Sequence, residues 1–180
     1  MSRPPRARES VLDAFERLLL DDGERAATMD ATARSAGVSK GGLLYHFASK
    51  DALESALLER VEELVSQDLA AMESAPEGAV AFFLRTSVMD DDPLDRALTA
   101  ASRLAQGGHP DAAETLRRVR GRWEDALRPH VRDDAALALV LLVSDGLYYN
   151  NALTGTTLAG PVPQGTALDA LVALVEASAR

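Results

Sequence analysis

The chain contains no cysteine, which removes disulfides and thiolate metal sites from consideration and is compatible with a reducing compartment. Long hydrophobic runs are missing as well. The longest, Ala135 to Val143, is less than half of the roughly 20 residues needed to cross a bilayer, and the N-terminus carries no apolar signal segment. The expectation is a cytoplasmic protein with no membrane partner. Strand-like alternation and internal repeats are absent, so the fold class read from the pattern is all-α. Catalytic constellations are lacking too: no paired carboxylates, no nucleophile elbow and no phosphate loop occur, and neither an enzyme nor a cofactor is expected. His109-Pro110-Asp111 and His130-Val131-Arg132-Asp133 have no Cys or His-x3-His partner, which makes them solvated helix caps in preference to metal ligands.

Positive charge is also in short supply, since 180 residues carry a net charge of −9. That total argues against a polyanionic partner, but its distribution reverses the impression. Residues 1 to 50 hold eight basic and seven acidic side chains, a balance of +1, whereas residues 51 to 180 hold eleven and twenty-one, a balance of −10. An acidic body repels any polyanion and favours docking of such a partner by the N-terminal head alone. Within the head, Glu9, Asp13, Glu16 and Asp21 to Glu24 lie apart in sequence from the Lys40 to Lys50 stretch.

What is present is a stretch from Thr28 to Leu53. Ala33, Gly37 and Leu43 stand at intervals of four and six, as two short helices crossing at a tight turn require. A small residue lets the helices approach, a glycine accepts positive φ, and a leucine plugs the angle. Thr28, Ser39 and Ser49 each sit where a side-chain oxygen caps a following helix. The middle helix, from about Ser39 to His46, spans about two turns and is marginal unless packed. Lys40 with Gly41 and Gly42 can approach base edges closely, because glycine removes bulk. Each glycine costs about 1 kcal/mol against alanine in a helix, a cost easier to accept if DNA orders the segment.

Ala36-Gly37-Val38-Ser39-Lys40-Gly41-Gly42-Leu43-Leu44-Tyr45-His46-Phe47, followed by Ser49-Lys50-Asp51-Ala52-Leu53, resembles the N-terminal signature of the TetR-type transcriptional regulators. The resemblance covers roughly residues 8 to 60. It implies a phosphate or base contact for His46 and a phosphate contact for Lys50. The chain departs from the family pattern at Thr32, where Val or Ile is usual, and at Leu44-Tyr45, where the tyrosine falls one place later. A one-residue move turns a helical side chain by about 100°. The usual tyrosine contact is left to Tyr45 or Leu44, with Leu44 facing either a thymine methyl or the core. Thr28, Ser39, Lys40, Gly41, Gly42, Leu44, Tyr45, His46 and Lys50 form the DNA-binding set.

Before this stretch, Arg3-Pro4-Pro5 reads as an arm outside any helix, free to reach a phosphate or simply solubilising, and a first helix runs from Arg6 to Asp22. After it, Asp51 to about Ser74 forms a long helix with Leu53, Leu57, Val61 and Leu64 on one stripe. The remainder reads as helices over 79–89, 93–106, 110–127, 132–154 and 166–179, giving about nine in all. Arg117 to Arg122 spreads its basic side chains around a helix, as a solvated face paired with Asp111, Glu114 and Glu124.

Ala135 to Val143 is apolar on every side and must be covered on every side, as must the segment from Leu168 to Val175. An intramolecular core is one way to do so. The other is a two-fold partner, and the resemblance implies a homodimer through the last two helices. Phe82, Met89, Trp123, Tyr148 and Asn151 combine aromatic or apolar bulk with polar handles, as a small-molecule pocket needs, although core packing explains each one singly.

These readings assemble into a three-helix helix-turn-helix head over residues 1–50. A long helix joins it to a helical ligand-binding and dimerisation domain over residues 51–180. The implied function is a sequence-specific regulator, a repressor released by a small-molecule effector, on a palindromic operator with half-sites about 34 to 36 Å apart. The alternative is a helix-turn-helix DNA-binding protein without such a ligand, constitutive or controlled by a protein partner, with activation in place of repression left open.

Overall fold

A computed structural model describes residues 4–88, 92–152 and 160–180. Among the described residues there are nine α-helices and no strand. They are α1 (Pro4–Asp21), α2 (Met29–Ser35), α3 (Lys40–His46), α4 (Lys50–Glu73), α5 (Ala79–Thr86), α6 (Pro93–Gln106), α7 (Pro110–Leu127), α8 (Asp134–Ala152) and α9 (Thr166–Ala179), with a 3-10 turn, Arg128–His130, before α8. Pro93 and Pro110 occupy the first helical position, where no backbone N–H is required.

Two helix starts differ from the sequence expectation. α1 begins at Pro4, not Arg6, because proline in a first turn forfeits no hydrogen bond and already has a helical φ. α8 begins two residues after Arg132, because Asp133 Oδ1 accepts the Ala136 N–H at 2.8 Å and so caps the helix. The backbone hydrogen bond holds the Asp133 carboxyl below its ordinary pKa. Along α4, Val65 and not Leu64 completes the fully buried series with Leu53, Leu57 and Val61.

The chain forms two compact units. One comprises Met1–Val65 with Asp92–Val119, the other Ser66–Asp91 with Arg120–Arg180. In the first, α1 packs on α2, α3 and α6. Ala97, Ala100 and Ala101 are fully buried on α6 beside Leu104, and their lack of bulk permits close helix approach. Phe15, Leu12 and Leu19 fill the centre, each worth about 2 kcal/mol of burial. Arg60 on α4 reaches Glu9 and Asp13 of α1 at 2.8 Å each and Glu16 at 3.1 Å. Arg118 pairs with Glu62.

In the second unit α5, α8 and α9 pack on one another, around Phe83, Leu84, Val140, Leu141, Val172 and Val175. A buried hydrogen bond of 2.8 Å joins the hydroxyls of Ser87 and Ser144. Arg85 pairs with Asp169 at 2.6 Å. The Arg132 N–H donates to the Ala179 carbonyl at 2.9 Å, fastening the end of the chain to the segment before α8. Among the described residues, no helix is long and apolar enough to cross a membrane.

Candidate nucleic-acid interface

The turn between α2 and α3 is built by local chemistry. Thr28 Oγ1 accepts the Ala31 N–H at 3.2 Å, Ser39 Oγ the Gly42 N–H at 3.0 Å, and Ser49 Oγ the Ala52 N–H at 3.1 Å. These are the three caps expected for α2, α3 and α4. Gly37 has φ +68°, a left-handed conformation that glycine adopts without penalty. There the Val38 N–H donates to the Ala33 carbonyl at 3.0 Å, closing the end of α2. Leu43 is completely buried and is the single buried residue of α3. Thr32 is also completely buried, and its hydroxyl has no hydrogen-bond partner among the described residues. A methyl would fit that position at lower cost.

With Leu43 turned inward, α3 presents the rest of its surface outward. Tyr45 is 82% exposed and Leu44 44% exposed, so Leu44 does not face the core. Tyr45 and the half-buried His46 meet edge to face, with ring centroids 5.0 Å apart. The two glycines differ. A Cβ on Gly42 would come within 3.3 Å of Ser39 Oγ, the capping atom, whereas one on Gly41 would meet nothing nearer than 4.0 Å. Gly42 is explained by the cap, and Gly41 has no internal steric reason. Arg8 lies over the Phe47 ring at 5.1 Å.

The sequence has two lysines, Lys40 and Lys50, and both flank this surface. Each is held by carboxylates that sequence reasoning did not connect to it. Lys40 Nζ lies 2.9 Å from Asp30 Oδ1 at the start of α2. Lys50 Nζ lies 3.3 Å from both Glu24 Oε1 and Glu54 Oε1. Burial works against the ammonium, but Glu54 and then Glu24 outweigh it, raising the Lys50 pKa above the ordinary lysine value. The Lys50–Glu54 spacing of four was a legible signal. The Glu24 contact, across 26 positions, had none.

The candidates in the second unit are spread more widely. The Trp123 indole N–H donates to Asp68 Oδ2 at 2.8 Å, and the ring stands 6.3 Å from Phe83. Phe82 and Trp123 both border the core, while Tyr148 and Asn151 are half-buried. Met89 lies outside the described residues. A groove of about 490 Å³ opens between the end of α4 and the start of α5, lined by residues that include Leu69, Met72, Glu73, Ala126 and His130. None of the four described candidates, Phe82, Trp123, Tyr148 and Asn151, lines it. Arg117 and Arg120 pair with Glu114 and Glu124 as expected of a solvated face, and Arg120 also meets Asp145 at 2.5 Å. No group of three or more potential metal ligands occurs among the described residues.

The chain is 29% identical to the HTH-type transcriptional regulator BetI of Rhizobium meliloti (strain 1021), over 96% of this chain and 87% of that protein. Its fold matches the structure of a Saccharomonospora viridis protein in complex with choline (TM-score 0.67, 17% identity, 96% of this chain and 95% of that one). It also matches the multidrug binding protein EbrR complexed with malachite green (TM-score 0.63, 25% identity, 93% and 96%). Residues 11–57 match the family of bacterial regulatory proteins of the tetR type. Residues 77–176, more than half of the chain, match the tetracyclin repressor-like C-terminal domain. The capped helix pair and its outward-facing second helix thus have their explanation: the chain belongs to the TetR family of DNA-binding transcriptional regulators.

Proposed function

We propose that this regulator is a cytoplasmic repressor that binds a palindromic duplex operator as a homodimer and leaves it when a small molecule binds. In this reading residues 1–50 contact DNA and residues 51–180 bind the effector and dimerise. The observation that carries the DNA-binding part is the outward face of α3, where Tyr45 is 82% exposed beside Leu44 and Lys40. Burial in the core does not account for such a surface. Tyr45, His46, Leu44, Lys40 and Gly41 would read the groove. Thr28, Ser39 and Gly42 shape the caps next to the phosphates, and Lys50 takes a phosphate. A cation beside the backbone needs no special geometry and acts through counterion release.

Support for dimerisation comes from α8 and α9. Leu142 is 69% and Leu174 65% exposed in the single chain, with Tyr149 at 65%, an apolar surface that a second copy would cover. The effector part is supported by EbrR's complex with malachite green. Phe82, Trp123, Tyr148 and Asn151 are the residues offered for it, with Met89. A ligand can shift the DNA-binding equilibrium only by its differential affinity for the bound and free conformations.

The test is a titration of mixed-sequence duplex DNA at several salt concentrations. Lys50→Ala should weaken binding to all sequences and lower the salt slope by about 1. An unchanged slope refutes the phosphate role. Thermal shift against a metabolite panel tests the effector, since a ligand that binds the folded state raises apparent stability. A flat panel favours the ligand-free, constitutive or protein-controlled alternative.

A further inference from the structure

Lys50 is gripped by two carboxylates, and both rest on the same short loop. Glu54 is 4% exposed. Its Oε1 faces Lys50, while its Oε2 lies 3.3 Å from His109 Nε2. The other ring nitrogen of His109, Nδ1, accepts the Ala112 N–H at 3.3 Å and so caps α7. A nitrogen that accepts carries no proton, so the cap fixes the tautomer with hydrogen on Nε2, pointing at Glu54. Two residues earlier, a Cβ on Gly107 would fall 1.8 Å from Glu24 Oε2, so Glu24 lies flat against the end of α6. Gly107 itself has φ −70°, which any residue adopts. Its missing side chain makes room for the carboxylate and serves no backbone need.

We propose that Gly107 and His109, on the loop joining α6 to α7, are positioning residues for DNA binding: they seat Glu24 and Glu54 and thereby set how far the Lys50 ammonium is neutralised before a phosphate reaches it. The inference rests on the reading of Lys50 as a phosphate contact. The two seats act in opposite directions. His109 donates to one oxygen of Glu54 and so shares that carboxylate with Lys50. Without the donor, Glu54 turns its whole charge on the lysine, and a phosphate must compete harder. Gly107 lets Glu24 approach. With a methyl there, Glu24 is pushed off and the lysine is freer.

The experiment uses the full chain and a mixed-sequence DNA duplex, read by fluorescence anisotropy across a salt series. His109→Asn keeps an acceptor for the Ala112 N–H, so the cap stays, but cannot reach Glu54. It should weaken binding by about fivefold at low salt, the size expected for one carboxylate at contact distance from a surface cation. Gly107→Ala should strengthen binding by about the same factor. Both effects should disappear at high salt and in a Lys50→Ala background, which a change in stability alone would not produce. Effects that persist in the Lys50→Ala background, or that share one sign, overturn the proposal. So does an absence of effect while Lys50→Ala alone still weakens binding. If Lys50→Ala itself changes nothing, the phosphate reading has failed, and the proposal with it.

Discussion

α3 and the α8–α9 pair both hold large apolar side chains away from their own cores, on opposite kinds of helix. α3 has seven residues, one of them buried, and two glycines; it persists because Ser39 caps it and Leu43 anchors it. α8 runs for 19 residues and is apolar nearly all round. Asp133 caps its start, and what it still needs is something to cover it. The exposed Tyr45 and Leu44 are surrounded by polar caps and lysines, which suits a hydrated, anionic partner. The exposed Leu142 shares α8 with the exposed Leu139 and Tyr149, and α9 exposes Leu174, which suits a copy of themselves. Exposure of hydrophobic groups therefore says little until the chemistry around them is counted.

The comparison can be broken first at the larger surface. Leu142→Glu with Leu174→Glu should yield a monomer by sedimentation and weaken operator binding by about a hundredfold or more, since two linked heads gain by effective concentration. A double variant that stays dimeric removes α8 and α9 from the interface. Next, Leu43→Ala should destabilise the head by about 2–5 kcal/mol through the cavity it leaves, measured by denaturant melting. A loss well below that range means α3 does not depend on its single anchor. Thr32→Val should act in the opposite direction, stabilising by about 1 kcal/mol because a buried hydroxyl without a partner is replaced by a methyl. A lowered melting temperature would show that the hydroxyl is satisfied after all. The smallest effect is the most diagnostic of α3: Gly41→Ala should stabilise the fold by up to about 1 kcal/mol yet weaken DNA binding. Unchanged DNA affinity would mean that Gly41 is not there to let the backbone approach.

Much of the helical layout was legible because it is punctuated locally. Pro93, Pro110 and Thr166 open α6, α7 and α9, and the hydroxyls of Thr28, Ser39 and Ser49 announce three more starts. What stayed hidden depends on partners distant in sequence. The packing of α6 against α1 rests on alanines whose spacing fits many neighbours. His109 reads correctly as a cap, but its second nitrogen meets Glu54 only because two helices converge there. The same holds for the exposure of Leu44, which a one-residue difference in tyrosine position left open and only the packing of Leu43 decided.

The confinement of both lysines to the head makes the protein chemically addressable. Acylating reagents selective for primary amines will find side-chain targets nowhere in the acidic remainder, where every cation is a guanidinium. Lys40, in a single exposed pair, should be modified faster than Lys50, whose lone pair is kept protonated by two anions. The ratio of the two adducts, read by mass spectrometry, turns the arginine preference of the rest of the chain into a built-in footprinting assay for whatever occupies the reading surface.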